Sequence, residues 1–235
     1  MKVIGKEIGS ALALMHGELE RRCKVEAERT LEVVAFEGSA FSNVEWGDQS
    51  VTISLHNGVP THALPHVFGV ALQHVRQRLD RYPGVRRGER EVEGGATLRS
   101  ALRELVMGPE AEMHLEPLKL EVAWEVEQRH SGLKDLLRQA PEDWNDPRSP
   151  GNAFAALQYA RFTLEHPEEL WAPLRDDFTK RIPKAAEQGE KVVAAVRKPG
   201  WKTPGACLEA LVAAREVVGL RPYATIEDRQ RAHMY

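Results

Sequence analysis

Histidine is the residue type in this chain whose spacing points most directly to chemistry. Six of the nine histidines fall between positions 56 and 130, namely His56, His62, His66, His74, His114 and His130. His62 and His66 are four residues apart, so on a helix they lie about 40° apart around the axis. Two imidazoles at this spacing suit one zinc ion. The structural alternative is a pair of ordinary surface or loop histidines, with His74 as a hydrogen-bonded core residue.

A hydrolytic zinc site also needs a general base. No glutamate directly follows His62 or His66. The base would therefore come from a later segment, where the candidates by residue type are Glu112, Glu116, Glu121 and Glu125. Glutamates spaced by four or five residues can line a metal site in a helical bundle, but the same spacing is typical of a solvated helix face. A metal-dependent hydrolase with a relocated histidine site is one alternative function.

Arginine forms a second concentration of functional groups. Six arginines fall within fifteen residues, and these are Arg76, Arg78, Arg81, Arg86, Arg87 and Arg90. The guanidinium group offers paired donors to phosphate, so the cluster is a candidate site for a nucleic-acid backbone or a phosphorylated ligand. Asp80, Glu89, Glu91 and Glu93 lie in the same stretch and favour surface ion pairing instead.

The segment around His74 resembles a known catalytic helix. HVFGVALQHVRQRLDRYPGV is similar to the active-site helix of zincin-like proteins related to the ImmA/IrrE metallopeptidases, in which an H-E-x-x-H helix runs to Gly-Tyr-Pro. In this alignment His74 matches the second zinc-binding histidine, and Arg81 to Pro83 match the end of the helix. His114 would correspond to a histidine on a later helix. The resemblance covers roughly residues 6 to 135 and implies a zincin-like helix-and-sheet fold.

Two positions of this helix depart from the motif that carries catalysis. Val70 stands where the first zinc-binding histidine is expected, and Ala71 stands where the glutamate base is expected. Valine cannot bind a metal ion, and alanine cannot take a proton from zinc-bound water. We therefore expect no catalytic residues on this helix and no resident cofactor, with zinc possible only at the candidate ligands His62, His66, His74 and His114.

Hydrophobic periodicity predicts the elements that position these residues. It indicates an N-terminal helix from Lys6 to Ala27, then three short strands forming a small antiparallel sheet, then a helix from Thr61 to Arg81. The predicted strands are Thr30 to Phe36, Phe41 to Trp46 and Ser50 to Leu55. Val85 to Gly95 reads as a polar loop, and helices dominate after it. Residues 221–235 form a polar tail that we expect to be loosely held. The fold class is therefore α+β and mostly helical.

Composition and charge limit the number of domains and the classes of partner that the chain can have. The chain has 235 residues, 42% of them hydrophobic, and a net charge of −3. The proline-containing segment 141–150 predicts a boundary between a first domain over residues 1–140, which the resemblance implies to be zincin-like, and a helical subdomain over 141–235. The two cysteines, Cys23 and Cys207, and the lack of a long apolar run indicate a cytoplasmic protein without a membrane span. We expect a protein-binding or scaffolding module, with a protein partner or homo-oligomer, and nucleic acid only through the arginine cluster.

Overall fold

The computed structural model describes residues 1–39 and 41–235 and is mostly helical, with small sheets. The chain divides into two compact units. The first unit contains Met1–Asp80 and Ala111–Glu125, and the second contains Arg81–Glu110 and Val126–Tyr235. The domain boundary expected near residue 140 stays a prediction, because a compact unit is not by itself an independently folding domain.

The secondary structure follows the chain in this order. The strands of the first unit are β1 (Lys2–Val3), β2 (Lys6–Glu7), β3 (Thr30–Phe36), β4 (Ser42–Trp46) and β5 (Ser50–His56). The second unit contributes β6 (Gly84–Arg87), β7 (Ala224–Asp228) and β8 (His233–Met234). The helices are α1 (Ser10–Glu26), α2 (Leu64–Leu79), α3 (Gly95–Leu115), α4 (Ala123–Arg138), α5 (Pro150–Glu165), α6 (Glu168–Arg181), α7 (Pro183–Arg197) and α8 (Pro204–Val217). Short 3₁₀ turns lie at Glu116–Leu118 and Glu142–Asn145.

The three-stranded sheet of the first unit is mixed, so the expectation of an antiparallel sheet is wrong in part. The strand order is β3-β5-β4, with β5 in the centre. β3 pairs with β5 in parallel, from Thr30 opposite Ser50 to Phe36 opposite His56, whereas β4 and β5 pair antiparallel. The chain leaves β3, forms the far edge as β4 and returns between the two, which gives β3 and β5 the same direction. Three strands so close in sequence predicted successive antiparallel hairpins. In the structure, however, β3 does not pair with β4, the next strand along the chain.

Alternation along β5 explains which face of this sheet is covered. Val51, Ile53 and Leu55 are fully buried, while the residues between them are partly exposed. The buried positions share one core with the inward residues of α1 and α2, which include Leu12, Cys23 and Phe68. One face of the sheet is therefore covered by helices, and the other face, with the serine and threonine side chains of β5, meets solvent.

Helices α5 to α8 pack around an aromatic centre in the second unit. Trp171 is fully buried, and its ring centroid lies 5.3 Å from that of Tyr159 and 5.5 Å from that of Phe162. Tyr159 also contacts Phe178 edge-on at 5.3 Å. These aromatic residues form a core because they recur on the inward faces of successive helices.

β7 belongs to the core of the second unit, so the expectation of a loosely held tail is wrong for this part of residues 221–235. β7 pairs antiparallel with both β6 and β8. Ala224 and Ile226 on β7 are buried with the helical core. No helix in the described part of the chain is both long and apolar enough to cross a membrane.

Candidate functional site

The most unusual polar arrangement in the first unit is a buried histidine held between two glutamates. His66 lies in the first turns of α2, and its side chain is 3% exposed. Its Nδ1 lies 2.6 Å from Oε1 of Glu125, and its Nε2 lies 2.8 Å from Oε2 of Glu112. Glu125 is almost completely buried, whereas Glu112 is 37% exposed. We refer to His66, Glu112 and Glu125 as the His66 triad.

The electrostatics of the His66 triad favour a protonated imidazole. Burial lowers the pKa of His66, but the hydrogen bonds to Glu112 and Glu125 and the charges of both carboxylates raise it, to about 9 overall. Each ring nitrogen then donates its N–H to a carboxylate oxygen, which satisfies both donors of the imidazolium. An imidazolium has no lone pair on nitrogen, so in this state His66 is neither a metal ligand nor a general base.

The helix ends explain how the triad is assembled. Glu112 lies near the end of α3, and Glu125 lies in the first turn of α4. Glu121 Oε1 accepts a hydrogen bond from the Ala123 backbone N–H at 2.6 Å, so its side chain caps the start of α4. A carboxylate in the first turn of a helix is stabilised by the helix dipole, whereas a cation at the same place is not. The helix dipole of α4 therefore stabilises the negative charge of Glu125. The dipole of α2 does not stabilise the positive charge of His66, which is stabilised by the two glutamates instead.

The remaining candidate metal ligands lie in different surroundings. His62 is 63% exposed, with its Nε2 3.8 Å from Oε2 of Glu121. His74 Nδ1 lies 2.8 Å from Oε1 of Gln77, and His114 is exposed near the end of α3. Across residues 1–39 and 41–235, no group of three or more histidine, cysteine, aspartate or glutamate side chains is arranged to hold a metal ion. A site made of His62, His66, His74 and His114 stays a prediction.

The two motif positions on α2 carry no donor atom. Ala71 is completely buried in the core of the first unit, and Val70, one residue earlier, is partly buried. His74, one turn after Val70, is also partly buried. The residues present therefore do not fit the zinc ion that the resemblance implies.

Two arginines of the predicted cluster lie in the first unit. Arg76 Nη1 forms an ion pair with Oδ2 of Asp80 at 3.2 Å. The guanidinium group of Arg78 lies 4.7 Å from the ring centroid of Trp46, a cation–π contact. Both groups therefore interact with side chains of their own unit.

The other four arginines belong to the second unit. Arg86 and Arg87 form ion pairs with Glu227 and Glu91, both at 2.9 Å. Arg90 lies 5.7 Å from the ring centroid of Tyr223, and Arg81 is exposed, with a positive φ of 57° just after α2. Ion pairing within the chain is the interpretation that these contacts favour. Phosphate or nucleic-acid binding by the cluster stays a prediction.

A histidine pair in the second unit is a further unusual arrangement of titratable groups. His130 Nδ1 and His166 Nε2 are 3.3 Å apart, and the two rings are nearly parallel. Burial, together with the positive charges of His130 and Arg129, lowers the pKa of His166 to about 4. The pair is thus a hydrogen bond involving a neutral imidazole. Because the two residues are 36 positions apart, no sequence spacing pointed to this contact.

The chain matches no protein-family model, and it shows no significant similarity to a curated protein or to a solved structure. The zincin-like interpretation therefore depends on the residues of α2 and on the order of helices and strands around it.

Proposed function

We propose that the first unit is a catalytically eroded zincin-like module that binds a protein partner without cleaving it. The observation that carries the proposal is the chemistry of α2, where Val70 and Ala71 occupy the positions of the first metal ligand and the general base. The order of a helix, three strands and a second helix agrees with such a module. The partner role is inferred from a helix-and-sheet unit whose catalytic groups are missing.

The His66 triad supports the proposal against a relocated active site. A zinc ion displaced by one turn would need His66 as a ligand, but both of its ring nitrogens contact carboxylates. Binding zinc there would require His66 to lose the proton that its partners stabilise and Glu125 to lose its main partner. The triad therefore favours a structural role for His66.

The outer edge of β4 is a surface that suits an extended segment of a partner. Gly47 N–H donates to Ser50 C=O, and His56 N–H donates to Phe41 C=O, which sets the pairing of β4 with β5. In this pairing the backbone groups of Ser42, Val44 and Trp46 point away from β5. No hydrogen bond to these outward groups occurs within the described residues. An added strand would find its donors and acceptors here, in the manner of strand addition to a sheet edge.

The first experiment measures metal content and hydrolysis together. Untagged wild-type protein, purified without chelator, is analysed for zinc by mass spectrometry and is tested for cleavage of an unfolded protein substrate. We expect no stoichiometric zinc and no cleavage that a chelator abolishes. About one zinc per chain, lost on replacing His66 or His74, together with chelator-sensitive cleavage, would overturn the proposal.

The binding part is tested with a displayed library of short peptides. Peptides selected on the wild type should bind a Val44→Pro variant much more weakly, because proline removes an outward N–H that makes no bond within the described chain. A Val44→Ala variant, which shortens the same side chain but keeps the outward N–H, is the matched control. If no peptide is enriched, or if peptides bind the Val44→Pro variant equally well, β4 is not the binding edge.

A further inference from the structure

The outer edge of β3 is an open hydrogen-bonding surface. Thr30 N–H donates to Gln49 C=O, and Asn57 N–H donates to Phe36 C=O. These bonds and the parallel register direct the backbone groups of the even-numbered residues toward β5. The N–H and C=O groups of Leu31, Val33 and Ala35 therefore point outward. Among residues 1–39 and 41–235 no hydrogen bond to these outward groups is formed.

The side chains of β3 do little to block a further strand. Exposed edge strands are usually protected by lysine, proline, a bulge or a covering segment. β3 reads TLEVVAF, with Glu32 as its one charged residue, and Val34 is 41% exposed. A seven-residue strand with this composition favours pairing with another strand.

An exposed apolar stripe on α1 lies beside this edge. Gly17 and Arg21 line a groove together with Thr30 and Leu31 at the start of β3. Leu14 and Val25 lie on the same stripe of α1, three residues before Gly17 and four after Arg21. Leu14 is 76% exposed and Val25 is 70% exposed, the two highest values among the large hydrophobic residues that the structure describes. Open backbone groups and exposed apolar side chains therefore occur on one side of the first unit.

We propose that β3 pairs antiparallel with β3 of a second copy of this chain, around a two-fold axis at Val33. In this register Val33 faces Val33 of the other copy, and Leu31 faces Ala35, so that every outward N–H meets an outward C=O. Glu32 faces Val34 rather than another glutamate, which avoids directly opposed like charges. The two-fold arrangement closes on itself and leaves neither copy with an open β3 edge.

The charges beside the strand favour a second copy over a strongly charged partner. The groove between α1 and β3 contains Arg21, Lys24 and Arg29 together with Glu20 and Glu28. A surface that carries both signs can pair with a rotated copy of itself, because the basic groups of one copy meet the acidic groups of the other. A strongly acidic or basic partner would meet like charges in the same groove.

The self-association is separate from the proposed function, since it uses neither β4 nor the residues of α2. A dimer that contains zinc or cleaves protein would overturn the proposed function and leave this inference standing. A monomeric protein without zinc would overturn the self-association and leave the proposed function standing.

The test is sedimentation velocity over a range of concentrations, on the wild type and on Val33→Pro. The outward N–H of Val33 makes no bond within the described chain, so the substitution keeps the native ladder of β3 with β5. It removes both hydrogen bonds across the two-fold axis, and we expect self-association to weaken by more than about tenfold. Circular dichroism verifies that the variant is folded. A wild type that stays monomeric at its highest soluble concentration, or an undiminished dimer of folded Val33→Pro, would overturn the proposal.

Cysteine cross-linking tests the register without a variant that threatens the fold. In the proposed pairing the two copies of residue 33 are directly opposite, with Cα atoms about 5.5 Å apart, within disulfide range. The two copies of residue 35 are about 13 Å apart along the strands, which is out of range. Val33→Cys should therefore form a covalent dimer under mild oxidation, and the matched Ala35→Cys should not. The native Cys23 and Cys207 are buried and do not compete. Equal cross-linking of both variants would refute the register.

Discussion

Replacing His66 with glutamine should remove a positive charge that holds two carboxylates together inside the first unit. In the native chain the His66 ring lies within 2.8 Å of oxygens of both Glu112 and Glu125. Glutamine is of similar size and can still donate a hydrogen bond, but it carries no charge. Glu125 would then lose the cation that contacts its Oε1, and removing one partner of a buried ion pair is the costly way to break it.

The magnitude follows from the pKa of His66. Burial lowers this pKa, but the bonds and charges of Glu112 and Glu125 outweigh burial, and the pKa rises from 6.5 to about 9. A rise of this size is equivalent to on the order of 3 kcal/mol in the free energy of unfolding. His66 is almost completely buried, so solvent screens the interaction only weakly.

The direction of the pH dependence is set by which state holds the proton more tightly. Because the folded state has the higher pKa, the contribution of His66 is fully present below pH 6.5, where both states are protonated. As pH rises from 6.5 through about 9, the unfolded chain loses the proton first and the contribution declines. The stability difference between wild type and His66→Gln should therefore be largest at mildly acidic pH and should shrink at alkaline pH.

Urea unfolding at a series of pH values measures this difference. Fluorescence and circular dichroism are followed for the wild type, His66→Gln and the matched control His62→Gln. His62 precedes α2 and faces Glu121 at 3.8 Å, but it is 63% exposed. We expect the control to change the free energy of unfolding by less than about 0.5 kcal/mol at every pH. A difference between wild type and His66→Gln that stays constant from about pH 6 to about pH 9.5 would refute the protonated triad.

Two further predictions concern the second unit. A Cβ atom added at Gly189 on α7 would lie 2.6 Å from Cδ1 of Tyr159, a ring held by Trp171 and Phe178. Gly189→Ala should therefore lower the free energy of unfolding by about 1–3 kcal/mol, whereas Gly132→Ala, on a helix surface with no atom within 4 Å of the added Cβ, should raise it slightly; thermal unfolding of both variants measures the contrast, and equal effects would contradict it. Ile226→Ala should lower the free energy of unfolding by about 2–5 kcal/mol because Ile226 is fully buried on β7, and a change near zero in urea unfolding would mean that the last residues are a loose tail after all.

Local patterns predicted the elements better than their partners. β3 begins and ends where alternation and β-branched residues indicated, and α2 lies inside the predicted helix. The strand pattern of β3 and the helical period of α2 both depend only on residues that are close in sequence, so they can be recognised before the fold is known. The parallel pairing of β3 with β5 depends instead on which strand the chain bypasses, and no local pattern records that choice.

The strand at the C-terminus was missed for a related reason. The segment 221–235 is rich in polar residues, and only alternate positions of β7 are buried. Its partner is β6, which lies in a segment that looked like a polar loop and is far away in the sequence. Each of the two strands has only a weak sequence pattern, and they are far apart in the chain. They pair only when the helices between them have folded into a core.

The His66 triad shows a similar limit at the level of chemistry. Histidine at position 66 and glutamates at positions 112 and 125 were each recognised as groups of the right type. Their mutual contact could not be read from spacing, because Glu112 and Glu125 belong to different helices and contact His66 through opposite ring nitrogens. The contacts with Glu112 and Glu125 favour a second interpretation of His66, as an internal cation, beside the predicted role as a metal ligand.

The surroundings of Ala71 bear on the proposal that α2 has lost a catalytic glutamate. Ala71 is completely buried in the core that α2 shares with α1 and the sheet. A glutamate at that position would place a carboxylate among apolar side chains, where an ionised group without a partner is strongly unfavourable. The buried cation on the same helix is already matched by Glu112 and Glu125, so it is not available to compensate the new charge. The packing around position 71 therefore disfavours a glutamate, which agrees with the proposed loss of the catalytic base.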